Sequence, residues 1–382
     1  MKRIIALAMA IPLAAPGLAN AATTERKAFG TLPDGRAVEA ITLANAKGMR
    51  ATILSYGAIL QSVEVPDRAG KAEEVTLGYA DLRGYLEKPN YFGATVGRYA
   101  NRIKAGRFAI DGKQYRLALN NNGNALHGGP LGYDKRLWTV EKVSDGAVAR
   151  VVLRYVSADG EEGYPGALTV TATYSLDEDN TLSVEYMATT TKPTIVNITN
   201  HSFFNLAGEA SQRSIYDQFL TIPADATTPV DASLIPTGAL RPVEGTPFDF
   251  RRATRIGERI RDGRDPQIVF GQGYDENFVI ARDVASTPRL HARVEDPMTG
   301  RILDISSNQP GLQLYTGNFL DGTAIGRSGH AYRQGDGIAL EPQVFPDTPN
   351  QPAFGSARLD PGQTYRNLII YRFSTTAPSA RN

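Results

Sequence analysis

The chain of 382 residues contains no cysteine, one tryptophan and four histidines. Without cysteine there is no disulfide and no thiolate metal site, so the fold must rest on packing and hydrogen bonds alone. Forty-one basic residues stand against forty acidic ones, a formal charge of +1. Nothing so balanced carries the electrostatic footprint of a nucleic-acid binder. Long apolar runs are absent too, apart from Ile4 to Leu18. Helical periodicity is scarce, with short candidates near residues 80 to 86 and 251 to 261 and nothing longer. A dinucleotide fingerprint is missing, because Gly271-Gln-Gly273 lacks the third glycine and a following helix.

The one apolar run follows Met1-Lys2-Arg3 and ends in Ala19-Asn20-Ala21, small residues suited to a cleavage site. Residues 1 to 21 therefore read as a secretory signal peptide, with the periplasm as the expected destination. A membrane anchor is the competing reading, but the run is short and is broken by Pro12 and Pro16. The segment holds two basic residues and no acidic one, so its removal moves the net charge just below zero. Enough chain remains for one large domain with a substantial core, and no membrane association is expected after cleavage.

What recurs along that remainder is alternation of period two. Leu168, Val170, Ala172, Tyr174 and Leu176 alternate with Thr169, Thr171, Thr173 and Ser175, Asp177 to Asn180 turns the chain, and Leu182, Val184 and Tyr186 resume. That is a hairpin of two half-buried strands. Similar patterns stand near residues 51 to 65, 106 to 118, 138 to 156, 276 to 281, 289 to 305, 311 to 316, 337 to 344 and 365 to 373. Many short strands separated by Gly, Pro, Asn and Asp clusters, with no strand-helix alternation, predict an all-β fold, a large antiparallel β-sandwich or barrel. Residues 22 to 374 read as a single domain and 375 to 382 as a loose tail.

The segment Asn197-Ile-Thr-Asn-His201-Ser-Phe203-Phe-Asn-Leu206 breaks the apolar rule for a strand. In extended backbone Asn197, Thr199, His201 and Phe203 share a face. A polar row ending in an aromatic is costly to bury, so it predicts a wet cleft that takes a polar ligand; a satisfied core histidine is the alternative. His127, in Ala125-Leu-His127-Gly-Gly-Pro130, sits where glycines let backbone approach a ligand, or is plain turn surface. His291 alternates with Arg289 and Arg293 as a solvated strand face would, and His330 stands in an ordinary loop.

Glu341 follows an apolar run and precedes Pro342, a proline expected to end the strand at the sheet's rim. A carboxylate held there is either partly desolvated, hence a better base near neutrality, or simply faces water. Asp275 could fasten ligand hydroxyls or cap a turn. Arg98, Asn101 and Arg102 suit an oxygen-rich ligand, with a surface ion pair as the plain alternative.

Taken in order, Gly97-Arg-Tyr-Ala-Asn-Arg-Ile103, Leu126-His-Gly-Gly129, Asp134-Lys-Arg-Leu-Trp138, Asp159-Gly-Glu-Glu-Gly163, Asn200-His-Ser-Phe-Phe-Asn-Leu206, Tyr274-Asp275, Gln309-Pro-Gly-Leu-Gln-Leu-Tyr-Thr-Gly-Asn-Phe319 and Leu340-Glu341 with Phe345-Pro-Asp347 resemble the aldose 1-epimerases, also called galactose mutarotases. The resemblance spans nearly the whole chain after residue 21. It implies a galactose mutarotase-like supersandwich with the sugar in an open cleft on one sheet. It also implies Glu341 as the base that takes the anomeric proton and His201 as the acid that protonates the ring oxygen. His127 becomes a second contact near that oxygen, Asn101 and Arg102 a further pair, and Asp275 and Gln313 contacts to sugar hydroxyls. Phe203 stands where the family usually has tyrosine, so one hydroxyl contact is lost while ring stacking remains. No cofactor or metal is implied, and the expected partner is a free monosaccharide, bound by a monomer or homodimer. A sugar-binding protein that kept the fold without the chemistry, and a hexose 6-phosphate relative, are the alternatives; a glycosidase would need two carboxylates in place of the carboxylate and histidine.

Overall fold

The computed structural model describes residues 21 to 376. Of the signal-peptide segment only Ala21 falls inside that range, and of the tail only Thr375 and Thr376. The last strand, Tyr365–Thr375, reaches one residue past the boundary expected for the domain.

Three antiparallel sheets make up the body. A five-stranded meander runs through Thr23–Thr31, Ala37–Ala44, Arg50–Leu54, Leu60–Pro66 and Ala72–Glu74 in chain order. A nine-stranded sheet has the hairpin Leu168–Asp177 and Thr181–Thr190 near its middle and Tyr365–Thr375 beside it. In the hairpin every second position is buried, and those between are half-buried or, at Met187 and Thr189, exposed. A six-stranded sheet orders its first four strands Phe203–Phe204, Ile338–Gln343, Gly311–Tyr315 and Asp275–Val279.

One continuous core joins them. Ile41, Ile53 and Val63 of the meander, Val151, Leu153, Tyr174 and Val184 of the nine-stranded sheet, and Phe278, Leu312, Leu314 and Leu340 of the six-stranded sheet are all buried in it. Because side chains alternate along a strand, committing Leu340, Leu312, Leu314 and Phe278 to that core turns Glu341, Gln313 and Asp275 to the opposite face. The sandwich thereby builds its polar cleft on the outer side of the six-stranded sheet.

Four expectations are corrected. The helix expected over residues 251 to 261 is only the single turn Ile256–Glu258, and the second helix lies at Pro266–Gly271. There Asp265 caps the first turn by accepting the Gln267 N–H at 3.0 Å and Pro266 occupies the first helical position, both favourable starts. Pro342 does not end its strand, which runs on to Gln343. On one flank the neighbouring strand pairs only with Ile338 and Ala339, so by Pro342 that edge no longer demands an N–H.

His291 is not on a solvated face. A register shift between Leu290 and Ala292 buries two successive residues, and the imidazole sits fully enclosed between the Arg289 and Gln309 carbonyls at 2.9 and 3.0 Å. The polar row at 197 to 203 does not line a cleft along its whole length either. Asn197 donates to the Ala100 carbonyl at 3.1 Å and Thr199 to the Pro342 carbonyl at 2.8 Å, both fully buried. Only His201 and Phe203 reach the cavity. The strands at residues 23 to 44, which alternation did not signal, include an edge strand exposed along much of both faces, where no period-two pattern is required.

Candidate active site

A cavity of about 190 Å³ opens on the six-stranded sheet. Asn101, Arg102, His127, His201, Phe203, Asp275, Gln313 and Glu341 all line it, so residues scattered over 240 positions converge on one concave surface. Cross-strand register does most of this work: Gln313 faces Glu341, Asp275 faces Tyr315, and Phe203 faces Ala339.

Glu341 is 1% exposed and lies within the strand, between its neighbours, instead of at a rim. Its Oε1 stands 3.5 Å from His201 Nε2, and its Oε2 is buried with no partner in the protein. Burial pushes its pKa well up, the Asp275 carboxylate adds to the rise, and Arg102 opposes it. Burial pushes His201 the other way, down to about 4. Burial thus drives each group toward its neutral form.

His127 is held in the left-handed region at φ 51° in a turn whose next residue must be glycine: a Cβ at Gly128 would fall 1.8 Å from the Gly97 carbonyl oxygen. The Asn101 backbone N–H donates to His127 Nδ1 at 3.2 Å. An N–H can only donate, so Nδ1 is the acceptor and the neutral ring carries its proton on Nε2. The structure thereby makes His127 a fixed hydrogen-bond donor. Burial and, after it, the positive charge available on His201, Arg102 and Lys135 hold its pKa well below the ordinary value. The rings of His127 and His201 meet edge to face, 5.3 Å apart, and Tyr91 packs over both at 4.7 and 5.7 Å.

Asp275 Oδ1 accepts from Gln313 Nε2 at 2.7 Å, and Oδ2 is 4.0 Å from Arg102 Nη1. Arg102 also donates through Nε to Asn121 Oδ1 at 3.0 Å, and Asn101 Oδ1 accepts the Arg102 N–H at 2.8 Å. Asp275 therefore opens a strand and holds Gln313, rather than capping a turn. Arg98 is separate from this set: it is 2% exposed and donates to the Pro165 and Gly166 carbonyls at 2.9 and 2.8 Å, a brace between loops.

Tyr91, Asn121, Tyr315 and Phe319 also line the cavity and were not singled out from sequence. Tyr315 and Phe319 lie inside the quoted segment 309 to 319, whereas Tyr91 and Asn121 lie outside every quoted segment. Among the described residues, no cluster of three or more His, Asp or Glu side chains is placed to hold a metal ion, and no helix is long and apolar enough to cross a membrane.

A desolvated carboxylate and an imidazole at 3.5 Å, ringed by amides, an arginine and aromatic faces, define an acid–base site on a β-sandwich built for a small polyhydroxylated ring. The family model for aldose 1-epimerase matches residues 39–372. Galactose mutarotase of Rattus norvegicus is 47% identical over 350 residues, covering 91% of this chain and 98% of its own. Aldose 1-epimerase of Escherichia coli is 38% identical over 343 residues, 89% of this chain and 96% of its own. Among solved structures, galactose 1-epimerase from Lactobacillus acidophilus superposes with a TM-score of 0.81 at 31% identity, covering 93% of this chain and 99% of its own. The chain belongs to the aldose 1-epimerase family.

Proposed function

We propose that the protein is an aldose 1-epimerase that interconverts the α and β anomers of free hexoses such as glucose and galactose, with Glu341 as general base and His201 as general acid. The observation that carries the assignment is the 3.5 Å between Glu341 Oε1 and His201 Nε2. The two oxygens to be served, the anomeric hydroxyl and the ring oxygen, are bonded to the same carbon. Acid and base must therefore converge on neighbouring points, and these two atoms do.

Glu341 takes the hydroxyl proton as C1–O1 becomes a carbonyl and the C1–O5 bond breaks, while His201 Nε2 delivers a proton to O5. The open aldehyde turns about C1–C2 by half a rotation, and the reverse transfers close the ring on its other face. No net proton is consumed. These roles need the charged pair, Glu341 as carboxylate and His201 with a proton on Nε2; burial disfavours either charge alone, and opposite charges 3.5 Å apart offset that cost when both are present. His127 Nε2–H donates beside the ring oxygen, Asp275 and Gln313, oriented by their mutual hydrogen bond, meet ring hydroxyls with their remaining polar atoms, and Arg102 and Asn101 complete the polar side. Phe203 offers a phenyl face to the sugar.

Polarimetry of freshly dissolved α-D-glucose and α-D-galactose tests this. The mature protein hastens approach to the same final rotation, and Glu341→Gln and His201→Asn each lose roughly 10²- to 10⁴-fold in rate with the fold intact. Near-normal rates in either variant would overturn the role assignment, and sugar binding without acceleration would favour a binding protein of the same fold. Export is part of the same reading, supported by Met1 to Ala21 alone. Cell fractionation with N-terminal sequencing of the recovered protein checks it; a retained Met1 would refute cleavage.

A further inference from the structure

Arg102 and His127 do not stand on the six-stranded sheet. They belong to a separate two-stranded ribbon in which Arg102–Ile103 pairs with Ala125–Leu126, Leu126 lies opposite Arg102, and His127 follows directly. A ribbon this short has little stability of its own, so it must be fixed against the sheet that carries Glu341 and Asp275. Asp347, a few residues past the end of the Glu341 strand, does this. Its N–H donates to the Arg102 carbonyl at 2.9 Å and its Oδ1 accepts the Lys104 N–H at 2.9 Å, so one residue grips the ribbon on both sides of Ile103. Asn350 Nδ2 donates to the same oxygen at 2.6 Å and to the Arg107 carbonyl at 2.9 Å, which ties the clamp to the next strand. Asp347 is fully buried, its Oδ2 has no partner in the protein, and its backbone sits in the left-handed region at φ 55°. A buried carboxylate oxygen without a partner and a strained backbone both cost stability, and such costs cluster at functional sites. Pro346 beside it lines, with Arg102, Asp275 and Gln313, a small space behind the cleft.

The place of the Arg102 guanidinium matters to Glu341. Around that carboxylate stand His201 at 3.5 Å, the Asp275 carboxylate, Arg102, and the Tyr315 and Tyr371 hydroxyls. Arg102 is the permanent cation of this set, and it opposes the burial that favours protonated Glu341. We propose that Asp347 is a positioning residue: by clamping the Arg102 ribbon to the end of the Glu341 strand, it holds the guanidinium where it favours the Glu341 carboxylate. The inference rests on the acid–base reading above and deepens it, naming what keeps the base ready to accept a proton.

Carboxyl-carbon NMR of protein labelled in its glutamate side chains, with Glu341→Gln to assign the signal, follows the Glu341 titration independently of turnover. Asp347→Gly suits the backbone and removes the clamp. In it Glu341 titrates at higher pH than in the wild type, because the lowering influence of Arg102 weakens; the acid limb of kcat/KM moves the same way, and KM for galactose rises roughly tenfold. Asp347→Asn keeps an oxygen for the Lys104 N–H and tolerates the left-handed backbone, so it restores all three. Both variants remove the charge, and their difference isolates the clamp. Should the glycine variant fail to fold, Asp347→Ser, whose shorter side chain withdraws the acceptor from Lys104, shows the same upward shift. A lowered melting temperature with an unmoved Glu341 titration would make Asp347 a structural brace and overturn the proposal. So would an asparagine variant that shifts as far as the glycine one. A wild type that does not hasten mutarotation refutes the proposed function, and the titration still decides the positioning.

Discussion

Replacing Asp275 by asparagine separates the two things its carboxylate does. The side chain is 8% exposed, accepts from Gln313 at 2.7 Å and lies 4.0 Å from Arg102, so the isosteric amide keeps the volume and removes only the charge. The first consequence is on binding. A hydrogen bond from a sugar hydroxyl to a charged acceptor contributes about 1.5–3 kcal/mol, so KM rises roughly 10- to 150-fold. The second is on pH dependence. Activity requires the Glu341 carboxylate, so the acid limb of kcat/KM reports the pKa of the free enzyme's base. Burial sets that pKa high, the neighbouring Asp275 charge raises it further, and Arg102 lowers it. Removing Asp275's charge deletes a raising contribution and frees the lowering one, so the acid limb moves to lower pH. Polarimetric rates across the acid and neutral range, corrected for spontaneous mutarotation, measure both effects. An acid limb that stays or moves up would refute the electrostatic coupling, and an unchanged KM would remove Asp275 from the sugar's contacts.

Two further outcomes follow from the same cleft and core. Phe203→Tyr, which returns the residue usual in the family, changes KM by roughly fivefold, one net hydrogen bond of about 1 kcal/mol, with a smaller effect on kcat. Measured kinetics showing a large change in kcat alone would contradict a binding role for that ring. Glu276 is 1% exposed, with both carboxylate oxygens buried and unpartnered, and burial followed by the Asp275 charge pushes its pKa well up. The folded state then holds its proton more tightly than the unfolded chain, so stability is lost as pH rises above the unfolded carboxyl range of roughly 4.3. Glu276→Gln removes that loss, so the unfolding free energy of the variant, followed by thermal melts, gains on the wild type from acid to neutral pH by on the order of 1–3 kcal/mol. A gap that is constant or narrows with pH would show that Glu276 is not the source.

Period-two alternation was enough to place the hairpin Leu168–Asp177 and Thr181–Thr190, because each strand has one face in the core and one toward solvent. It misread His291, since a bulge adds a residue to one strand and reverses which side chains face inward, and nothing in Arg289-Leu-His291 announces it. It also misread the row from Asn197 to His201, where amide and hydroxyl groups find backbone partners brought from Ala100 and Pro342, far away in sequence. Glu341 shows the limit most plainly. Its segment alone left a solvent-facing carboxylate as plausible as a buried one.

Composition and local pattern by themselves determined that this is an all-β chain stabilised without disulfides, and the ordered motifs sufficed to suggest its family. Burial and mutual distance they could not determine. That His201 and Glu341 lie 3.5 Å apart, that both are forced toward neutrality, and that His127 is locked as a donor by the Asn101 N–H are properties of strands and turns from distant parts of the chain. The physical reason is that desolvation and Coulomb interaction depend on what surrounds a group in space, and only the packing of three sheets on a common core supplies those surroundings.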